Sequence, residues 1–323
     1  MRFKETQIIT FANQKGGCGK TSSAISVAAA FAQASYSVCI VDTDSQCNTT
    51  DTFGIDADQH ISDGQPTLAD IYLERMPASE VEIDFGSRFE GMLSLIPGHR
   101  GLRSVGARLE SEKIAALASD QNSILDADDI ANEHRQRLKE SLNTIRGKRD
   151  LIIIDTPPDL GFEMTTALIA SDWFVVPVFP SGYDLKGLET LARTVEKIRK
   201  RYNPNLRLAG VLLGNYDKTA KLDADIHKAL VKKFGEELVF RTTIARSVKH
   251  RESTLYRRTI FEHAPHDQAS EQYGELVKEM INRGAKGAFG ATLNPLPDQG
   301  ALVRMAPENG EGGNPILEKI VNG

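Results

Sequence analysis

The segment QIITFANQKGGCGKTSS, residues 7–23, decides the fold of this 323-residue chain. The apolar, β-branched run of residues 7–12 predicts a buried strand, and the glycines at positions 16, 17 and 19 predict a tight loop. An alanine-rich segment that favours a helix follows, and SVCIVD (37–42) predicts a second strand. A strand, a glycine loop, a helix and a strand form a βαβ unit, so the sheet should be mostly parallel and covered on both faces.

Further apolar runs extend this sheet and set the predicted domain organisation. Strands are predicted at 92–98, 151–155, 173–178, 206–214 and 237–242, with helices between them. We expect an α/β domain of the P-loop NTPase type, a mostly parallel twisted sheet with helices on both faces, over residues 1–283. Residues 101–150 are charged and favour an extended helical insertion. Residues 284–323 contain eight glycines and four prolines, which predicts a flexible tail, although NPILEKIV (314–321) could form a short helix.

Composition excludes several classes of protein. The net charge is -5, and the three cysteines, Cys18, Cys39 and Cys47, are too few for a disulfide framework, so we expect a reducing, cytoplasmic location. The start of the chain lacks the apolar run of a signal peptide. Residues 21–41 carry no charge, but serines interrupt them and they fit a helix followed by a strand. We therefore expect no membrane span.

The glycine loop predicts a phosphate site with one departure from the usual pattern, G-x-x-x-x-G-K-[ST]. Gln14 stands where the first glycine belongs, and Lys15 follows it. Backbone N–H groups at a helix N-terminus bind phosphate, Lys20 would reach the β- and γ-phosphates of ATP, and the hydroxyl of Thr21 would ligate Mg²⁺. The predicted nucleotide-binding residues of this loop are Lys15, Gly16, Gly17, Cys18, Gly19, Lys20, Thr21 and Ser22.

Carboxylates at the ends of predicted strands complete the predicted site. Asp155 ends LIIID (151–155), at the strand edge where open α/β sheets bind ligands, and is the predicted second magnesium ligand. Asp42 and Asp44 follow one another in VDTDSQCN at the end of the second strand, so they point to opposite sides of the extended chain. We favour Asp44 as the residue that orients the attacking water, with Asp42 in a supporting role.

Three motifs resemble those of one known family. KGGCGKT resembles the deviant Walker A motif, KGGxGK[ST], of the ParA/MinD-type ATPases; VDTDSQCN is similar to their DxDPQGN segment, and LIIIDTPPDLG to their Walker B region. The similarity covers most of residues 7–283, and the layout is closest to the partition ATPases of the ParA branch. The resemblance implies an ATP-driven homodimer in which Lys15 is the signature lysine that crosses to the partner's phosphates. It also implies catalytic roles for Lys15, Lys20 and Asp44, and a position near the base for Asn215.

The chain departs from the family pattern at three positions. Ser45 replaces a proline, Cys47 replaces a glycine, and Ala245 replaces the proline of the family's IPRS. These departures concern the rigidity of the catalytic loop and of the adenine pocket.

Positive charge is concentrated in residues 186–258, which contain 18 Lys and Arg against 8 Asp and Glu, a balance of +10 in a chain of -5. Such asymmetry is typical of a surface that meets nucleic-acid phosphates. The resemblance implies sequence-independent DNA binding here, a nucleoid-associated location and a ParB-like centromere-binding partner that stimulates hydrolysis. The candidate DNA-binding residues are Lys197, Arg199, Lys200, Arg201, Arg246, Lys249 and Arg251.

Related functions remain as alternatives. An ATPase that positions a protein cargo, such as a carboxysome or a chemoreceptor cluster, is not separable from a DNA partition ATPase by these motifs. A MinD-like membrane switch would need a basic amphipathic C-terminal helix, which the glycine-rich tail does not supply. An electron-transfer iron protein would need cysteines placed to bridge a cluster, and a bacterial tyrosine kinase would need a terminal tyrosine cluster; the sequence has neither.

Overall fold

Seven strands form a single sheet in the computed structural model, which describes residues 5–119, 127–180 and 185–283. Their order across the sheet is β3-β4-β2-β5-β1-β6-β7, and every neighbouring pair is parallel except β3 with β4. The predicted mostly parallel sheet is therefore confirmed. The strand bounds are β1 Gln7–Phe11, β2 Val38–Asp42, β3 Ile83–Asp84, β4 Leu93–Ile96, β5 Leu151–Asp155, β6 Trp173–Val178 and β7 Arg207–Leu213.

Helices cover both faces of this sheet, as predicted. Their bounds are α1 Lys20–Gln33, α2 Asn48–Thr52, α3 Ala57–Ser62, α4 Leu68–Glu74, α5 Ala78–Val81, α6 Leu102–Ser119, α7 Ala127–Leu142, α8 Phe162–Ala170, α9 Leu185–Arg201, α10 Lys221–Phe234, α11 Lys249–Leu255, α12 Ile260–His263 and α13 Gln268–Arg283. A 3-10 turn spans Gly86–Phe89. No helix in the three described ranges is both long and apolar enough to cross a bilayer.

Alternating side chains of each central strand pack into separate cores. Ile9, Leu151 and Ile153 face a core that α1 and α13 cover, whereas Ile8 and Ile152 face the opposite core. Successive residues of a strand point to opposite faces, so a strand that is apolar at every position must be buried on both. All five residues of β1, β2 and β5 are buried.

The predicted helical insertion at 101–150 contains α6 and α7, which pack on each other and on α4 and α8. Within α7 and the turn after it, the predicted apolar stripe of Leu138, Leu142 and Ile145 is buried. The helix ends at Leu142 rather than at Gly147, which instead takes a left-handed backbone with φ of 83°. The predicted flexible tail, residues 284–323, lies outside the described residues.

The predicted strand at 237–242 is wrong. Only Val239 forms a bridge with β7, through Val211. Val211 donates to the carbonyl of Leu238 and accepts from the N–H of Phe240. Beyond this point Glu279 of α13 accepts from the N–H groups of residues 241 and 242, so the pairing does not continue as a strand. The short antiparallel strand β3 was not predicted, because two residues carry no periodic pattern.

Candidate nucleotide site

The glycine loop lies between β1 and α1, at the carboxyl edge of the sheet. Asn13 fixes its start: the side-chain amide donates to the carbonyl of Pro177 at 2.7 Å and accepts from the N–H of Lys15 at 3.1 Å. Gly17 and Gly19 have φ of 69° and 87°, a left-handed backbone that glycine adopts without steric cost. A Cβ at Gly19 would lie 2.8 Å from the ring of Phe179, so this position excludes every side chain.

The two lysines of the loop lie in different environments. Lys20 is only 6% exposed, and its Nζ donates to the carbonyl of Lys15 at 3.0 Å, so the loop curls around the Lys20 amine. The thiol of Cys18 donates to the same carbonyl. Lys15 has an exposed side chain. Lys20 is thus held inside the loop, while Lys15 stands on its outer surface.

Asp155 lies directly below this loop, at the end of β5 and in register with Phe11 on β1 and Asp42 on β2. It is fully buried. Its Oδ2 accepts from the hydroxyl of Thr49 at 2.8 Å, whereas Oδ1 is buried and has no hydrogen-bond partner within the described part of the chain. Burial is the main cause that raises the pKa of Asp155 to about 6, and the hydrogen bond from Thr49 and the nearby hydroxyl of Thr21 oppose that rise.

An unpartnered, buried carboxylate oxygen fits a divalent cation, since burying a charged oxygen is costly unless it is paired. Thr21, the other predicted ligand, is close enough to Asp155 for its side chain to donate to that carboxylate. The described ranges hold no cluster of three His, Cys, Asp or Glu side chains placed for a metal. Mg²⁺ does not require one, because it commonly takes one or two protein ligands and completes its shell with water and phosphate oxygens.

Asp42 and Asp44 differ in how fully the protein occupies their oxygens. Both oxygens of Asp42 accept hydrogen bonds, from the N–H and hydroxyl of Thr50 and from the N–H of Asp44. The Asp44 side chain is also buried, but within the described residues it accepts one hydrogen bond, from the N–H of Gln46 at 2.9 Å. This arrangement is consistent with the supporting role predicted for Asp42, and the water-orienting role of Asp44 stays a prediction.

The turn that carries Asp44 closes on Cys47. Cys47 has φ of 54°, in the left-handed region, and its N–H donates to the Asp44 carbonyl at 2.9 Å. A left-handed backbone favours glycine, which explains why the similar family motif has glycine at this position. Arg100 holds the turn from outside: it donates to the carbonyl of Gln46 and pairs with Asp51 at 3.0 Å.

Asn215 lies two residues beyond β7, and its left-handed backbone has φ of 52°. The ring of Phe179 packs against both Gly19 and Gly214, so the glycine loop and the loop that contains Asn215 share one neighbour. The N–H of Ala245 donates to Oε1 of Gln272 at 2.6 Å, a bond that proline at this position could not make. The segment that contains Ala245, where the family has proline, is thus held to α13 by this hydrogen bond.

Three residues that shape the site were missed by sequence reasoning. Asn13 anchors the loop, Thr49 hydrogen-bonds Asp155, and Phe179 separates the two glycines. Asn13 could have been predicted from the sequence, because it is a side-chain amide directly after a buried strand. Thr49 and Phe179 carry no motif or spacing that marks them.

The structure does not bring all the candidate DNA-binding residues together. Lys197, Arg199, Lys200 and Arg201 lie in the last turns of α9, which lead into the start of β7 at the amino edge of the sheet. By contrast, Arg246, Lys249 and Arg251 lie in and just before α11, which contacts α2 at the carboxyl edge. Lys200 pairs with Glu196 and Lys249 with Glu252 in exposed ion pairs.

Comparisons with known proteins agree on one family. A family model described as an AAA domain matches residues 6–208. The sporulation initiation inhibitor protein Soj of Bacillus subtilis is 32% identical over 278 residues, which are 86% of this chain and 99% of that protein. The chromosome-partitioning ATPase Soj of Thermus thermophilus is 32% identical over 282 residues, 85% of this chain and 95% of that protein.

The fold has solved counterparts. The structure of cobyrinic acid a,c-diamide synthase from Mycobacterium smegmatis with bound ADP and magnesium matches with a TM-score of 0.68. The match covers 90% of this chain and 100% of that one at 23% sequence identity, so it bears on the fold alone.

Proposed function

The chain belongs to the ParA/MinD family of ATPases, and on that premise we propose that it is an ATP-dependent DNA partition ATPase that segregates a plasmid or chromosome. The relatives named as a chromosome-partitioning ATPase and as chromosome partitioning proteins support this function over the positioning of a protein cargo. The match to those relatives extends along nearly their whole length.

One observation carries the chemistry of the proposal. The buried Oδ1 of Asp155 has no partner in the described residues, and it lies beside Thr21 at the start of the helix that the glycine loop opens. We assign Thr21 and Asp155 as the residues that would hold Mg²⁺ with ATP. When bound, the ion would neutralise charge on the β- and γ-phosphates and favour hydrolysis to ADP and phosphate.

Three further residues of the chain would act on the bound nucleotide. Lys20, held inside the loop, would contact the phosphates of its own nucleotide, together with the N–H groups of residues 16–22. Asp44 would orient the attacking water. The exposed Lys15 would reach the nucleotide of a second subunit, so that ATP drives formation of the homodimer.

The dimer would bind DNA without sequence preference through the basic region 186–258, and a ParB-like partner would trigger hydrolysis and release. The excess of ten positive charges supports the first step. A nucleoid-associated location follows from such binding. Because the candidate residues lie at two edges of the sheet, each group would contact DNA separately, and residues of both groups should contribute.

The experiment compares the wild type, Lys20→Ala, Lys15→Ala and Asp44→Ala by nucleotide titration and by size-exclusion chromatography with and without ATP and Mg²⁺. We expect Lys20→Ala to lose ATP binding, Lys15→Ala to keep binding but lose the dimer and hydrolysis, and Asp44→Ala to accumulate as an ATP-bound dimer. Retained affinity in Lys20→Ala would contradict the site.

DNA binding is measured on the same proteins with a random duplex at two salt concentrations. The Asp44→Ala dimer should bind only with ATP, and its affinity should fall steeply with salt. Equal binding with and without ATP would exclude the proposed switch while leaving the nucleotide site intact.

A further inference from the structure

Helix α11 and the turns on either side of it, residues 246–258, form a surface on which apolar side chains are exposed. Val248, Leu255 and Tyr256 are 66%, 79% and 63% exposed. With Leu222 of α10, they are the large apolar side chains that are exposed in the described ranges. Apolar groups gathered on one exposed surface indicate a contact with another molecule. We call residues 246–258 the α11 surface.

Helical spacing places an arginine between two of these apolar side chains. Val248, Arg251 and Leu255 follow one another at intervals of three and four residues, so they lie along one face of α11. Ser253, on the opposite face, is buried. The exposed face of α11 therefore presents an apolar, a cationic and an apolar group within ~10 Å along the helix axis.

Tyr256 follows directly after α11, and its ring is held in place. The ring stacks on that of His263, with the two centroids 5.2 Å apart. His263 in turn contacts Glu252 of α11 at 3.0 Å. An aromatic side chain that is already fixed loses little conformational entropy when a partner contacts it, so binding to it costs less free energy.

The protein leaves part of the positive charge on the α11 surface unpaired. Residues 246–258 contain five Lys and Arg against one acidic residue, Glu252, and Lys249 pairs with that glutamate at 2.8 Å. Arg251 and Arg258 are exposed and form no ion pair within the described part of the chain. Two guanidinium groups beside exposed apolar side chains can therefore contact an anionic partner.

Duplex DNA fits this combination of groups better than an acidic peptide or a membrane does. Phosphates line both edges of a DNA groove, and sugars and base edges lie between them. The excess of ten positive charges over residues 186–258 favours an extended polyanion over one acidic peptide. A helix of seven residues with few apolar side chains offers little area to insert into a bilayer.

On the premise of the proposed function, we propose that the α11 surface contacts a groove of duplex DNA with Leu255 and Tyr256, while Arg251 and Arg258 contact the flanking phosphates. Apolar side chains such as leucine enter DNA grooves in proteins that bind without reading a sequence. Such a contact adds to the affinity a part that does not depend on salt, whereas the arginines add a part that does.

DNA titrations at several salt concentrations test the apolar contact, in the Asp44→Ala background with ATP and Mg²⁺. Leu255→Ser should lower the affinity for a random duplex about three-fold, and Leu255→Ser with Tyr256→Ser about ten-fold. The slope of log K against log salt should stay unchanged, because no charge is lost. Leu222→Ser is the matched control, since Leu222 is also exposed but lies on α10. Affinities equal to that of the control would overturn the proposal.

The same titrations test the phosphate contacts. Arg251→Ala with Arg258→Ala should reduce the salt slope by about 2, one for each phosphate contact that is lost. Lys148→Ala should keep the slope, because Lys148 is exposed but lies outside the basic region. An unchanged slope in the arginine variant would overturn the assignment of these two residues to DNA phosphates.

Two further measurements identify a different partner if there is one. Size-exclusion chromatography with ATP shows whether Leu255→Ser still forms the dimer, and loss of the dimer would place the surface at the subunit interface and overturn the proposal. Loss of binding to phosphatidylglycerol vesicles, with DNA binding unchanged, would assign the surface to a membrane and overturn it too. Absence of DNA binding by the parent Asp44→Ala protein would instead contradict the proposed function itself.

Discussion

Two aspartates lie side by side at the carboxyl ends of β2 and β5, and they differ in their hydrogen bonding. Asp42 and Asp155 are register partners on neighbouring strands, and both are fully buried. The protein fills both oxygens of Asp42 with hydrogen bonds but leaves Oδ1 of Asp155 without a partner in the described residues. Burial and residue type are therefore the same at the two positions, and what differs is how fully hydrogen bonds occupy the carboxylate oxygens.

The largest expected difference between the two concerns hydrolysis. Asp155→Asn should reduce Mg²⁺-dependent ATP hydrolysis by ~100-fold or more, because the amide cannot act as an anionic ligand of the ion. Asp42→Asn should retain hydrolysis within about ten-fold where the protein stays folded, since Asp42 acts through the turn it holds. Steady-state phosphate release measures both. Equal losses of ATP hydrolysis in the two variants would contradict the different roles expected for Asp155 and Asp42.

A smaller difference is expected in the pH dependence of stability. Burial, followed by the charge of Asp155, raises the pKa of Asp42 to about 7, and burial raises that of Asp155 to about 6. A carboxyl whose pKa is higher in the fold than in the unfolded chain binds protons more tightly in the fold. Its contribution to the free energy of unfolding therefore falls as pH rises from about 4 to about 7.

Asp155→Asn removes one of these two charges and should stabilise the nucleotide-free protein at pH 8 relative to wild type, by up to about 3 kcal/mol, with the gain vanishing near pH 4. Urea unfolding of both proteins between pH 4 and pH 8 measures the difference in their free energies of unfolding. Contributions from titratable groups that both proteins share cancel in that difference. A gain that increases towards acid pH would reverse the assigned sign.

The hydroxyls beside the two aspartates give a third, smaller comparison. Thr50→Val should lower the free energy of unfolding by about 2 kcal/mol, because the Thr50 hydroxyl both donates to Asp42 at 2.7 Å and accepts from the N–H of Gly98 at 2.9 Å. Both partners are buried and would lose a bond. Denaturant unfolding at pH 7 measures this change. An unchanged free energy of unfolding would show that the two hydrogen bonds of the Thr50 hydroxyl do not stabilise the fold.

Thr49→Val should have the smallest effect on stability, about 1 kcal/mol or less, since Thr49 makes one side-chain bond, to Asp155. Its loss should raise the pKa of Asp155 further, because that hydrogen bond lowers it. The Mg²⁺ requirement for hydrolysis should then shift to higher pH. A magnesium titration at pH 6 and pH 8 detects this shift, and an unchanged pH profile would contradict it.

Sequence predicted the parts of this molecule that depend on local pattern. The uninterrupted apolar run of LIIID identified a central strand and placed Asp155 at its end, and the glycines identified the tight loop between β1 and α1. These features are recoverable because a buried parallel strand and a tight loop each restrict the residue types that can occupy them.

Sequence could not supply contacts between remote segments. The pairing of Asp42 with Thr50 depends on how α2 turns back over β2, and nothing in VDTDSQCN reveals it. The prediction of a strand at 237–242 failed for the same reason: its apolar run is real, but Glu279 of α13, a remote element, takes the N–H groups of residues 241 and 242. Charge counting found the basic region but not its division between two edges of the sheet.

The ring of Phe179 has a consequence for how this chain can vary. It lies against Gly19 on one side and Gly214 on the other, at 2.8 Å from where a Cβ would be in each case. A larger residue at Gly214 would therefore require a smaller one at position 179. We expect Gly214 to become variable in relatives that lose the aromatic ring, whereas Gly19 should persist with or without it, because its φ of 87° favours glycine.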